Sequence, residues 1–368
     1  MQKQDKRILR LFCALLTAAL LGTVFAACGP ASTESVPEDA PSAASEPEAS
    51  RDENAFRLEQ RDFGGTVIKV LTPKSDGFGG CEIAATEINT EPVNDASYNR
   101  AKLISEKYGI NVEQHFTDNL IEAIRTQTES GLDEFQACTS SIYNLSILAA
   151  DGVFYDLKHI QKNDYLDLNQ PYWDSAVTRD LAIRDCIYYA TGDIVVTDDE
   201  ATWAMFFNKD IMRDANIMAD ESYDTIYDLV KDQKWTLDKM HEMAKKGTVQ
   251  VSSGGLVFGT DSQDTWGLLA QCYDSYAFTA GCGEGFIQRD GDGLRITLGD
   301  ESNLNAYRKV FDMMWDTSCV GIAEISGRAS GSKYYYNDES KIFSYGKALF
   351  MPSRIGAFQY VTMREANI

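Results

Sequence analysis

The stretch YYATGDIVVTDDEATWAMFFNKDIM, Tyr188–Met212, sets two short apolar runs on either side of an acidic, turn-rich loop. Ile187–Ala190 and Met205–Phe207 are too short for helices and rich in β-branched or aromatic side chains, so each predicts a strand. Thr191-Gly192-Asp193 and Asp198-Asp199-Glu200 interrupt the pattern between them. Asn208-Lys209-Asp210 then ends the second run and offers a helix N-cap, with Ile211, Met212 and Ile217 opening an apolar face. Such a segment reads as a crossing between two folded bodies.

Before the crossing, strand and helix patterns alternate. Gly65–Thr72 reads as a strand, followed by a glycine-bearing loop, Pro73–Gly80, that contains Asp76. Helical spacing over Tyr98–Tyr108 stops at Gly109, Ile110–Phe116 is a second strand, and Leu120–Thr128 is a helix closed by Gly131. Phe135–Ser141 is a third strand and Ile142–Ala150 the next helix. This rhythm predicts βαβ units on a parallel sheet, where ligands sit outside the carboxyl ends of strands. Asp76, Ser141 and Tyr143 fall at such ends, although capping and turn formation account for the same residues.

After the crossing, Leu229-Val230-Lys231 closes a short helix and Thr236 caps another whose Leu237, Met240, Met243 and Ala244 share a face. Thr265–Ala280 carries Trp266, Gln271, Tyr273, Tyr276 and Phe278, and Phe286–Leu298 is a hairpin about Asp290-Gly291-Asp292-Gly293. A calcium loop is a poor reading of that turn, since Leu, Arg, Ile and Thr follow where oxygen ligands are needed. Asn303–Trp315 is an amphipathic helix with Leu304, Tyr307, Val310, Phe311 and Met314 on one side, and Lys347–Ser353 a buried strand ending in a Pro-led turn before Arg354.

The order of these motifs resembles the carbohydrate-type (family 1) extracellular solute-binding proteins of ABC importers. The resemblance rests on ATGD with its acidic loop and W-x-x-FFNKD, on Asp156-Leu157 and Tyr172-Trp173-Asp174 before it, on the Trp235-Thr236 helix start, and on KALFMPS near the end; it covers roughly Gly65 onward. It implies an α/β, two-lobed periplasmic-binding-protein-like type II fold, each lobe a mixed sheet flanked by helices and joined by hinge strands. Lobe one would occupy residues 62–199 and lobe two residues 200–368. Relatives continue beyond this point with a second crossing, so the resemblance implies a C-terminally truncated sequence whose lobe one lacks its returning segment. It also implies a monomer that captures a sugar or oligosaccharide by hinge closure and hands it to ABC permease subunits, with Trp235 structural. Asp199, Glu200 and Trp203 suit the hinge, Gln271, Tyr273 and Arg354 the second lobe's contribution, and Asp76, Ser141 and Tyr143 the first lobe's. Trp203 equally suits packing under the sheet, and Arg354 a surface ion pair.

At the N-terminus, Lys3, Lys6, Arg7 and Arg10 precede an apolar run, Leu11–Phe25, too short for a comfortable membrane span. Ala26-Ala27-Cys28 resembles a lipobox, with Phe25 where Leu is preferred; it implies a signal peptide over residues 1–27, lipidation of Cys28 and anchoring on the extracellular face of the cell membrane. Residues 28–61 are rich in Pro, Ser, Ala and Glu and poor in apolar side chains, the composition of an extended acidic tether.

A formal charge of −22 makes nucleic acid and anionic lipid headgroups poor partners. Cysteines 81, 138, 186, 272, 282 and 319 permit disulfides in an exported protein, yet a body this large does not require them. With His115, His159 and His241 alone and no His-x-x-x-His step, a His-rich metal site is not expected, nor is any cofactor. An exported glycan-acting hydrolase is a rival reading, but Asp199 and Glu200 on a strand would face opposite ways, and no Gly-x-Ser-x-Gly elbow or phosphate loop occurs. A peptide or other-solute binder and a glycan adhesin stay open.

Overall fold

The apolar run TVIKVLTP and its two partners form the first sheet in a computed structural model that describes residues 61–74, 83–160, 166–219, 222–291, 293–359 and 361–368, all within one compact unit, Phe56–Ile368. β1 (Thr66–Pro73) pairs in parallel with β2 (Ile110–Thr117) along its whole length and with β3 (Ala137–Cys138), in the order β2-β1-β3. Helix α1 (Pro92–Tyr108) links β1 to β2 and α2 (Leu120–Ser130) links β2 to β3, giving the expected βαβ units. The caps explain the boundaries. Pro92 opens α1 behind Glu91, whose carboxylate accepts from the Asn94 amide at 2.7 Å. Gly109 ends it at φ 62°, in the left-handed region that favours glycine, and a Cβ there would also displace the Asp62 carboxylate, whose oxygen it would meet at 2.1 Å.

Several expectations are corrected. The third strand shrinks to two residues, and its continuation becomes the approach to α3 (Ile142–Ala150), which keeps its expected bounds. Ile187–Ala190 is not a strand: the Ile187 amide donates to Asp156 Oδ1 at 3.0 Å and its carbonyl accepts from the Leu157 amide at 2.7 Å, so a carboxylate and a loop take the groups a ladder would use. After α4 (Ser175–Leu181), the acidic loop contains a single helical turn, α5 (Val196–Glu200), in place of an open loop. Asp76, Cys81, the leader with Cys28, and the tether as far as residue 60 lie outside the described residues.

The second sheet begins with β4 (Trp203–Phe207), after which Asn208 caps α6 (Lys209–Asp214) through a 2.9 Å bond from the Ile211 amide, as read. Helices α7 (Ile226–Lys231) and α8 (Leu237–Gly247) follow, the latter capped by Thr236. Then come β5 (Trp266–Ala270), α9 (Asp274–Gly281), the hairpin β6 (Ile287–Asp290) and β7 (Gly293–Ile296), α10 (Glu301–Met314) and β8 (Val320–Ile322). A π-helical turn (Ala323–Gly327), α11 (Tyr335–Ser344), β9 (Ala348–Arg354), a 3-10 turn (Ile355–Gln359) and α12 (Val361–Glu365) complete the order. The sheet runs β4-β9-β5-β8; β5 is parallel to both β8 and β9, while β4 lies antiparallel to β9.

Both faces of this sheet are covered, which is why β5 and β9 are apolar without alternation. Leu268 and Ala270 join Met240, Met243, Ala244, Val310 and Met313 on one side, and Leu269 joins Ile342, Phe343 and Met351 on the other. Each such Leu, Ile, Met or Phe contributes about 1.5–3 kcal/mol by leaving water. Trp235 is structural as expected, its ring 5.7 Å from that of Phe350. In α10 the buried stripe is Asn303, Val310, Met313 and Met314, while Tyr307 and Phe311 are exposed; the periodicity placed the face one step too far round. Pro352 does not start a turn but sits inside β9 opposite Met205, beyond the last β5 pairing at Phe350, where no ladder bond is required on that side. No described helix is long and apolar enough to cross a membrane.

Gly267 fixes how closely α8 lies on the sheet, since a Cβ there would stand 2.2 Å from the Ala244 carbonyl oxygen and 2.7 Å from Thr248 Oγ1. Gly267→Ala must therefore push backbone aside, and we expect it to lower the urea midpoint by the equivalent of about 1–3 kcal/mol. Gly281→Ala, with nothing within 4 Å, should leave the midpoint unchanged or slightly raised.

Candidate functional site

Strand direction assembles the site. β5, β8 and β9 run the same way, so their carboxyl ends meet at one edge of the sheet, and antiparallel β4 starts at that edge. Trp203, the first residue of β4, is in register with Arg354, the last of β9. Gln271, Cys272 and Tyr273 leave β5 at the same edge, and Glu324 follows β8. The Trp203 and Tyr273 rings meet edge to face across the end of β9, with centroids 5.7 Å apart and planes at 79°. Both rings are still 42% and 45% exposed, which decides the packing question: Trp203 is a surface of the edge and not a prop beneath the sheet.

A buried polar layer lies under these rings. Gln271 donates from Nε2 to Glu339 Oε2 at 2.5 Å, and its amide donates to Asp274 Oδ2 at 2.6 Å. The Cys272 amide donates to Glu324 Oε2 at 3.0 Å. Asp274 and Glu339 are 0% and 1% exposed. Among the described residues, Gln271 Oε1, Asp274 Oδ1 and Glu339 Oε1 are buried without a partner. Burial, reinforced by the Glu324 charge, pushes Asp274 up to about 7 against the pull of the Gln271 amide. Burial and then Asp274 raise Glu339 well above the usual carboxylate range. Burial followed by Asp274, Glu339 and Glu324 pushes the Tyr273 hydroxyl up to about 12, with Arg354 pulling the other way, so it stays a neutral donor and acceptor. A rim of Tyr335 and Tyr336 stands beside it, with the Arg328 guanidinium 5.2 Å from the Tyr335 centroid and donating to its hydroxyl at 3.0 Å.

Of the residues singled out in the sequence, Trp203, Gln271, Tyr273 and Arg354 come together here. Glu200 borders them: a Cβ on Gly356 would be 3.2 Å from Glu200 Cβ and 3.5 Å from Arg354 Nη1. Asp199 is exposed on α5, and adjacent positions on a helix diverge, so the pair is no acid–nucleophile couple even though the segment is not a strand. Ser141 and Tyr143 lie with the helix that follows the other sheet's β3, Ser141 at the N-cap of α3 and Tyr143 within it and 73% exposed. Asp274, Glu324 and Glu339 were missed. Asp274 directly follows Tyr273, which is a usable signal, but nothing local marks Glu339 in its polar helix.

The family model of the bacterial extracellular solute-binding proteins matches residues 91–314, more than half of the chain. The chain belongs to that family. A comparison with curated proteins gives no match. Among solved structures, this solute-binding protein is similar to an ABC substrate-binding protein from Listeria monocytogenes in complex with cycloalternan, at 16% identity over 82% of this chain and 64% of that one, TM-score 0.46. It is similar to RafE from Streptococcus pneumoniae at 16% identity, over 82% and 64% of the two chains, TM-score 0.45. The galacto-N-biose/lacto-N-biose I-binding protein of Bifidobacterium longum gives 14% identity over 83% and 64%, TM-score 0.46. The chain spans just under two thirds of the length of each of these three structures.

Because folding raises the Asp274 carboxyl above its ordinary 3.8, the native state binds more protons than the unfolded chain between about pH 4 and 7. Stability therefore falls as pH rises through that window. Asp274→Asn should flatten this slope and raise the urea midpoint at pH 8, by about 2–4 kcal/mol in unfolding free energy.

Proposed function

We propose that this chain is the substrate-binding component of an ABC importer that captures a sugar or oligosaccharide between two lobes, residues 62–199 and 200–368, and delivers it to membrane permease subunits. Family membership supports a binding protein over an enzyme, and the Trp203–Tyr273 pair carries the sugar assignment. Two exposed aromatic faces present flat apolar surface to sugar C–H groups, while Gln271, Arg354, Glu200 and the neutral Tyr273 hydroxyl offer hydrogen-bonding partners to hydroxyls. Asp76, Ser141 and Tyr143 would face them from the first lobe, closing by hinge motion through the segment around Asp199. Cleavage ahead of Cys28, its lipidation and the 28–61 tether would hold a monomer on the extracellular face of the membrane.

The test is thermal melting of the protein against mono- and oligosaccharides and, separately, peptides, since a ligand of the folded state raises the midpoint by mass action. A sugar should raise it in a concentration-dependent way without being consumed, and Trp203→Ala should weaken that sugar at least about tenfold. Consumption of the sugar would move the assignment to a hydrolase, and a response to peptides alone would remove the sugar reading.

A further inference from the structure

On the far side of the second sheet's helical layer, α8 faces the loop that joins α10 to β8, and three unlike metal-ligating groups converge there. His241 Nε2 lies 2.9 Å from Asp316 Oδ2. These atoms and Cys319 Sγ all lie within 4.8 Å of one another. Among the described residues, no other cluster of three such groups is this close. The carboxylate is held by its other oxygen, Asp316 Oδ1, which accepts from Ser318 Oγ at 2.5 Å and from the Ser318 amide at 3.2 Å; this leaves Oδ2 directed at the imidazole. A cation already occupies that oxygen, because Lys245 Nζ sits 3.0 Å from it on a half-exposed side chain that can swing into solvent. Cys319 is 1% exposed and His241 about one fifth, so the cluster has one inner wall and one opening toward water.

We propose that His241, Asp316 and Cys319 form a zinc-binding site, with water as the fourth ligand. An imidazole nitrogen, a carboxylate oxygen and a thiolate are the donor types zinc takes, at about 2.0–2.3 Å each. Donors at those distances in a tetrahedron stand about 3–4 Å apart, which small rotations of the side chains achieve here. Binding releases the Cys319 thiol proton to solvent, takes the neutral His241 imidazole in the tautomer that carries its proton on Nδ1 so that Nε2 is the ligand, and releases the Lys245 ammonium from Asp316 into solvent. One carboxylate and one thiolate then balance the dication. Ser318 supplies the orienting hydrogen bonds that metal ligands require. Sequence reading had no access to this group, since His241 and Asp316 are 75 positions apart.

The test titrates the full chain with zinc chloride by calorimetry and with cobalt chloride as a spectroscopic probe. One zinc per chain is expected, and cobalt should give a thiolate charge-transfer band with the intense visible bands of a tetrahedral ion. Cys319→Ser should abolish the charge-transfer band, and His241→Gln, at the partly exposed ligand and with its folding checked by circular dichroism, should weaken zinc at least about tenfold. The proposal is overturned if cobalt shows no thiolate band in the unaltered chain, if the band survives Cys319→Ser, or if folded His241→Gln binds zinc as well as the parent. Neither outcome touches the sugar site, which lies at the carboxyl edge of the sheet.

Discussion

The antiparallel pairing of β4 with β9 is the constraint on which the candidate site depends. Trp203 opposes Arg354 only because β4 enters the sheet against the direction of its neighbours. Were it parallel, its five residues at about 3.3 Å each would carry Trp203 to the far edge, roughly 13 Å from the ends of β5 and β9. The aromatic pair with Tyr273 would not exist, and the buried carboxyl groups would have no rings above them. The same pairing continues past the strand, where the Ile355 amide donates to the Thr202 carbonyl at 2.8 Å and draws the 3-10 turn against α5.

The layer beneath the rings explains how a strongly acidic protein keeps its candidate site from being a patch of negative charge. Asp274 and Glu339 are fully enclosed, and lost hydration, reinforced by the Glu324 charge on Asp274 and by Asp274 on Glu339, favours the protonated forms. A neutral carboxyl group both donates and accepts, so it can hold Gln271 in one orientation without projecting a field toward the opening. Such a support costs stability near neutral pH, which the apolar clusters on the two faces of the sheet offset.

Much of the second sheet was legible because its strands are buried on both faces and its helices carry local caps. Asn208 and Thr236 there, and Gly109 beside the first sheet, act through neighbours within a few residues, and such signals survive in a linear reading. Trp203 and Arg354 were legible as candidates because one opens a strand and the other follows one, whereas Gln271 and Tyr273 were reached only through the family resemblance of their segment. The failures have equally local causes. Ile187–Ala190 has the composition of a strand but finds Asp156 and Leu157 where a ladder partner was needed. Tyr307 and Phe311 fit an apolar stripe in sequence, yet the turn of α10 that meets the sheet is set by Asn303, Val310 and Met313.

What the sequence by itself determined was the alternation of strands and helices and the placement of caps, while the order of its motifs pointed to the family to which the chain belongs. The alternation and the caps follow from short-range hydrogen bonding and from periodic burial, both written in neighbouring residues. Only the tertiary structure decided that Trp203 and Tyr273 meet as rings, that Asp274 and Glu339 lie buried beneath them, and that His241, Asp316 and Cys319 converge. Those contacts join residues tens of positions apart, and their existence depends on strand order and direction, which single-sequence periodicity leaves free.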